Sequence, residues 1–287
     1  MPTTIAAGFD RLRQNLEITD RQAATVSTRQ TNVREAVEAD LIVLSSFLVG
    51  SYGRDTMISP LSEAEIDIFV VLSADYFKQY RPAALLDKVR AVLLKTYTKT
   101  PAISRNGRAV TITFSDFRVD VVPAFNRSDG GYLIPDSPND AWISTDPTKH
   151  DAALTAANKA HSGDLIPIVK MVKGWNRIIS GAFRGFYLEL LVMDVLQGVT
   201  ISDYPSGVRY LLDKGREKIK YKQTDPAGFG DQINPFDSVT SVADAVSRFE
   251  TAYNRALKAE KFAADGKIQY AFDAWRKVFG EYFPAFG

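Results

Sequence analysis

The chain of 287 residues contains no cysteine. That excludes disulfides, thiolate zinc sites and cysteine nucleophiles, and it gives no sign of an oxidising compartment. Histidine is almost as scarce. His150 and His161, one in a loop and one near an expected helix start, read as structural residues rather than a metal pair. Charge of one sign is also lacking: 35 Lys and Arg stand against 34 Asp and Glu, a net charge of +1. The whole molecule is therefore no polyanion binder, and no strong nucleic-acid binding is expected, although a local basic groove stays open. No apolar run approaches the length of a membrane span, and the first residues carry no signal-peptide pattern, so a soluble cytoplasmic protein is expected. Repeats and low-complexity tracts are absent. Apolar residues are plentiful, 45% with 11% aromatic, enough for the core of one large domain or two small ones.

Against these absences one stretch stands out, Gly50–Leu72, GSYGRDTMISPLSEAEIDIFVVL. It opens on a Gly-Ser turn and ends in a run of strand formers, Ile68–Leu72. Side chains alternate along a strand, so Glu65 and Asp67 point the same way, roughly 7 Å apart. Parallel carboxylates at a strand start are costly unless something neutralises them, and a divalent metal holding nucleotide phosphates would do so. The turn could aim backbone N–H groups and the Ser51 hydroxyl at phosphate oxygens. The Arg54–Ala64 loop between turn and strand has no assigned role.

Elsewhere the periodicity predicts helices over 5–17 and from about Arg21 to Leu44, capped at Thr19 or Asp20. A short strand covers Ser45–Val49, and Pro82–Thr96 has helical spacing. Two alternating runs follow, Ala109–Phe114 and Phe117–Val122, with a tight-turn signal at Asn106-Gly107. Residues 124–150 read as loop, being rich in Pro, Gly, Asn and Asp. From about 151 the pattern is helical: 151–160, 164–180, 184–196, 205–215, 239–263 and 266–279, with a structured loop over 222–237. The expected division is 1–155, mixed α and β with a long N-terminal helix, and 156–287, all helix.

Asp120 sits among Val119, Val121 and Val122 in the second alternating run, where a charge needs a partner or a task. If its strand neighbours the acidic one, Glu65, Asp67 and Asp120 come within about 5–8 Å, and three oxygen ligands suit one or two magnesium ions. The bland alternative leaves Glu65 solvated and pairs Asp120 with Arg118 or Arg108.

These residues resemble the polymerase-β-like nucleotidyltransferases, and more narrowly the bacterial CD-NTases, the cGAS/DncV-like enzymes of antiphage signalling. GSYGRDT is similar to the family's phosphate turn, EIDIFVVL to its metal strand and FRVDVVPAF to its third-carboxylate strand. WISTDPTKH, IVKMVKGWNR, RGFYLE, DPAGFGD and AWRKVFGEYFP extend the likeness over nearly the whole length. The resemblance implies an α+β fold, a nucleotidyltransferase core of mixed sheet and flanking helices plus an α-helical, oligoadenylate-synthetase-like C-terminal lobe, with the active site in the cleft between them. It implies an enzyme making a cyclic di- or trinucleotide second messenger from nucleoside triphosphates such as ATP and GTP, which activates a downstream effector of the CBASS antiviral defence.

Residue by residue, the resemblance implies that Gly50, Ser51 and Lys173 hold the triphosphate and that Phe186 stacks on a base. Glu65, Asp67 and Asp120 would be catalytic and would ligate two Mg2+ ions, for which Mn2+ can substitute. Lys170 rivals Lys173, and the bland reading of Phe186 is a core aromatic. Gly185 departs from the family's frequent Ser or Thr, so base preference does not transfer. The metal-binding thumb of the animal branch is missing, since the chain has no cysteine. A monomer is expected. Gly287 suits the C-terminal conjugation some family members undergo, although a frayed end is the simpler reading. Two competitors remain: a linear oligonucleotide synthetase or RNA-tailing enzyme of the same fold, and a catalytically silent nucleotide-binding scaffold.

Overall fold

The computed structural model describes residues 2–99, 102–238 and 241–287. The fold is α+β, and the chain divides into two compact units: Ile18–Asp151, and residues up to Glu17 together with Ala152–Gly287. The later boundary falls close to the expected one. The first helix, however, belongs with the C-terminal helices rather than with the sheet.

That helix, α1 (Ile5–Leu16), is capped by Thr4, whose hydroxyl accepts from the Ala7 N–H. It buries Phe9, Leu12 and Leu16. Its apolar stripe explains the grouping, because Phe9 meets Trp275 and Phe283 edge-on, at 4.8 and 5.3 Å between ring centroids.

The sheet unit starts with α2 (Asp20–Glu38). Thr19 and Gln22 form a reciprocal capping box there, as the cap signal foretold. The helix stops at Glu38, short of the expected Leu44. The β-branched Val43 is drawn into strand pairing instead, and β1 (Val43–Val49) aligns antiparallel with β2 (Glu65–Leu72). Between them lies a single helical turn, α3 (Gly50–Gly53). After β2 come α4 (Ala74–Gln79) and α5 (Pro82–Thr96), which starts on proline.

Then follow β3 (Ala102–Asn106), β4 (Ala109–Thr113) and β5 (Arg118–Asn126). The stretch read as loop holds a hairpin, β6 (Tyr132–Asp136) and β7 (Ala141–Thr145). The seven-stranded sheet runs β1-β2-β5-β4-β3, with β6 on the end of β5 and β7 beyond it. Among the described residues only β2 and β5 pair in parallel; the other pairings are antiparallel.

One face of the sheet packs Ile66, Ile68, Val70, Val119 and Val121 against Val33 and Val37 of α2 and Leu86 and Val89 of α5. Because strand side chains alternate, this core forces Glu65 and Asp67 onto the other face, along with Phe69 and Val71.

The helical unit continues with α6 (Pro147–Ala160), α7 (Leu165–Ile178), α8 (Gly185–Leu196) and α9 (Tyr204–Lys218). The 222–237 loop carries a minimal ladder, β8 (Gln223–Thr224) with β9 (Gln232–Ile233). α10 (Val242–Ala264) and α11 (Ile268–Phe279) close the unit. The expected start of α10, at 239, lies outside the described residues. No helix among the described residues is long and apolar enough to cross a membrane.

Candidate active site

The parallel β2–β5 register places Glu65 opposite Arg118 and Asp67 opposite Asp120. The three expected carboxylates are thus neighbours on one sheet face. Their local sequences explain the placement: each acid alternates with a residue committed to the core, Ile66 and Ile68 on one strand and Val119 and Val121 on the other.

The Gly-Ser turn comes to the same place. Val49, the last residue of β1, pairs with Asp67, and the chain then turns tightly at Gly50 with φ of +67°. A Cβ at Gly50 would sit 1.9 Å from Asp67 Oδ2, so only glycine allows the turn to close against that carboxylate. The unassigned loop buttresses the turn. The backbone N–H groups of Thr56 and Met57 both donate to the Ser51 carbonyl, at 2.8 and 3.0 Å, and Thr56 is fully buried. Sequence reasoning missed this support, for which the only cue was a threonine inside a polar loop.

Electrostatics confirm that the carboxylates are crowded. Asp67, enclosed by its neighbours though still touched by solvent, is pushed up to about 7 by burial and then by Asp120 and Glu65, against the pull of Arg54. Burial also raises Glu65, with Asp120 adding to it and Arg118 opposing. Asp120 is raised by burial, while the nearby Thr111 hydroxyl and Arg118 pull it down. Thr111 is close enough to act on Asp120 without hydrogen-bond geometry, because Asp120 Oδ1 and Thr111 Oγ1 are both buried without a hydrogen-bond partner among the described residues.

Among the described residues, no three His, Asp or Glu side chains are already gathered as a metal cage. Glu65 is instead engaged by Arg118, at 2.9 Å. The bland reading pairs Asp120, not Glu65, with Arg118 or Arg108. The donor set nonetheless fits a hard divalent cation: oxygen ligands only, mutual repulsion, and a buried carboxylate oxygen lacking any donor.

In the helical unit, Lys173 of α7 pairs with Glu189 of α8 at 2.6 Å, and both are largely buried. Its rival Lys170 pairs with Glu17 at 2.7 Å and is more deeply buried still. Phe186, in the first turn of α8, is half-buried while its neighbour Tyr187 is fully buried, so it is not a core aromatic. A Cβ at Gly185 would lie 3.8 Å from Lys173 Cε, so there is room for the hydroxyl residue common in the family. His161 places both ring nitrogens against carbonyl oxygens, of Ala157 and Leu196, which is a structural role. A cavity of about 620 Å³ lies in this unit, lined by residues such as Phe9, Tyr204, Arg209 and Trp275, and none of the expected site residues lines it.

Comparison with known proteins decides the family. Residues 3–158, more than half the chain, match the model of the Second Messenger Oligonucleotide or Dinucleotide Synthetase domain. The chain belongs to this family. It is a nucleotidyltransferase of the bacterial CD-NTase kind, as its motifs implied. Among relatives of this synthetase is a cyclic AMP-AMP-AMP synthase of Acinetobacter sp. (strain ATCC 27244 / 9458), 28% identical over 96% of this chain and 84% of that protein. Two solved structures share the fold over almost all of both chains. E. coli MS115-1 CdnC, in complex with HORMA-deltaN, has a TM-score of 0.77 at 20% identity and covers 98% of each chain. Vibrio cholerae DncV cyclic AMP-GMP synthase has a TM-score of 0.78 at 14% identity, covering 99% of this chain and 98% of that one.

Proposed function

We propose that the protein links nucleoside triphosphates into a cyclic oligonucleotide second messenger, acting in bacterial antiphage signalling through an effector that binds the product. The observation that carries this reading is the ladder of Glu65, Asp67 and Asp120 with the Gly50 turn closed against Asp67. A ribose hydroxyl oxygen bonds to the α-phosphorus of a second nucleotide, and the bond from that phosphorus to the bridging oxygen of pyrophosphate breaks. Asp120, whose buried oxygen lacks a donor, is positioned to take the hydroxyl proton. Gly50 and Ser51 hold phosphate oxygens, Lys173 contacts the triphosphate and Phe186 lies against a base. When bound at the three carboxylates, two Mg2+ ions would supply charge neutralisation at the attacking and leaving oxygens. A second round on the linear product closes the ring.

Two relatives are named as synthases of three-nucleotide rings, cyclic AMP-AMP-AMP and cyclic AMP-AMP-GMP, which makes ATP the first substrate to supply. The test is product analysis by chromatography and mass spectrometry after incubation with the four ribonucleoside triphosphates. A phosphatase-resistant oligonucleotide, lost in the Asp67→Ala, Asp120→Ala double variant, is expected. A product that loses terminal phosphate would mark a linear synthetase instead. Nucleotide binding without pyrophosphate release would mark a silent scaffold.

A further inference from the structure

Arg118 is absorbed by none of the roles above. It opens β5 at the register position facing Glu65, two residues before Asp120 and therefore on the same sheet face. The face reads as two rows. In the first, Arg118 and Glu65 bond across the strands at 2.9 Å. In the second, Asp67 and Asp120 face each other with like charge. The guanidinium always carries its charge and matches a carboxylate in shape, so it neutralises one of the three acids.

The pair is half-exposed, with the arginine side chain 50% and the glutamate 39% open to solvent. Such a pair is weak, and its arginine can swing into water. It is a cation placed where a divalent ion would compete for the same carboxylate.

We propose that Arg118 is the built-in counter-ion of the carboxylate site: it holds Glu65 across the β2–β5 register, a divalent cation gains that ligand only by displacing it, and Arg118 thereby sets how readily the site loads. This rests on the three carboxylates being a metal site. Arg118 acts here as a positioning residue, and its effect reaches the reaction through Glu65. An ordinary cross-strand ion pair would contribute only to stability, so cation affinity separates the two roles.

The experiment titrates the full chain with Mn2+ in the absence of nucleotide, following the paramagnetic resonance signal of the free ion, with Mg2+ as competitor. Removing one positive charge beside a doubly charged ion, Arg118→Gln should tighten Mn2+ binding by about three- to tenfold. Arg118→Lys, which keeps the charge, should stay near wild type. Glu65→Gln should weaken binding, and adding Arg118→Gln to it should tighten binding by clearly less than it does in wild type, because the part of the effect that runs through Glu65 is gone while the pull of Arg118 on Asp120 stays. Thermal melts of each variant check folding. If wild type binds Mn2+ but Arg118→Gln binds it equally or more weakly, the counter-ion role is overturned while the metal site stands. If wild type binds no Mn2+ at millimolar concentration, the metal reading fails and this role fails with it.

Discussion

The two units handle charge in opposite ways. The sheet unit gathers like charges: Glu65, Asp67 and Asp120 share a face and each is raised from its ordinary value, first of all by burial. The helical unit sinks opposite charges in pairs, Lys170 with Glu17 and Lys173 with Glu189. Opposite charges in an interior satisfy each other and can be explained by the fold alone. Like charges crowded on a sheet face are not satisfied by one another, and a ligand of opposite sign would relieve them. The contrast also qualifies Lys173, whose charge is already answered by Glu189, so phosphate must compete for it.

This contrast can be broken in several ways. The largest effect belongs to the acid ladder. Asp67→Asn with Asp120→Asn should cut pyrophosphate release on the order of a thousandfold or more while leaving the melting temperature at or above wild type, because repulsion is relieved. Next is the opposite-charge pair. Glu189→Ala removes the carboxylate that Lys173 pairs with at 2.6 Å and should cost about 3 kcal/mol in denaturant unfolding. If it costs nothing, the pairs of the helical unit are not what holds that charge.

Gly50→Ala forces a left-handed backbone on alanine and thrusts a methyl group at Asp67. A loss of about 1–2 kcal/mol is expected, together with loss of activity.

The smallest effect is a pH slope. Asp67 has a folded value of about 7 against an ordinary 3.8. Between those values the unfolded chain releases its proton first, so stability falls as pH rises from about 4 to 7 and levels off above. Asp67→Asn removes the slope, and its advantage in melting temperature should grow by at least about 2 °C across that window. Cation binding should strengthen over the same window, since the ligands must be deprotonated.

The acids were legible in the sequence because a strand has period two. Once Ile66, Ile68, Val119 and Val121 are assigned to the core, Glu65, Asp67 and Asp120 have one face left. Arg118 was harder. The sequence offers it, with Arg108, as a partner for Asp120, and only the parallel register pairs it with Glu65. The β6–β7 hairpin was hidden by Pro135 and the Asn- and Asp-rich turn, whose loop-like composition outweighed the alternation in strands of five residues each. The end of α2 was overrun because Leu41 and Leu44 extend a helical stripe that pairing with β2 overrides. The grouping of α1 with α11 depends on contacts across more than 250 residues, for which one chain offers no local signal.

That last contact has a consequence for synthesis. Phe9 leaves the ribosome long before the rings it docks against, Trp275 and Phe283, are made. The acid ladder and its sheet, all encoded before residue 152, can therefore be complete while α1 still waits as an unpartnered amphipathic segment. Lys173 and Phe186 belong to the unit that closes last. In a nascent chain the acid ladder would thus be in place well before the helical unit that carries Lys173 and Phe186.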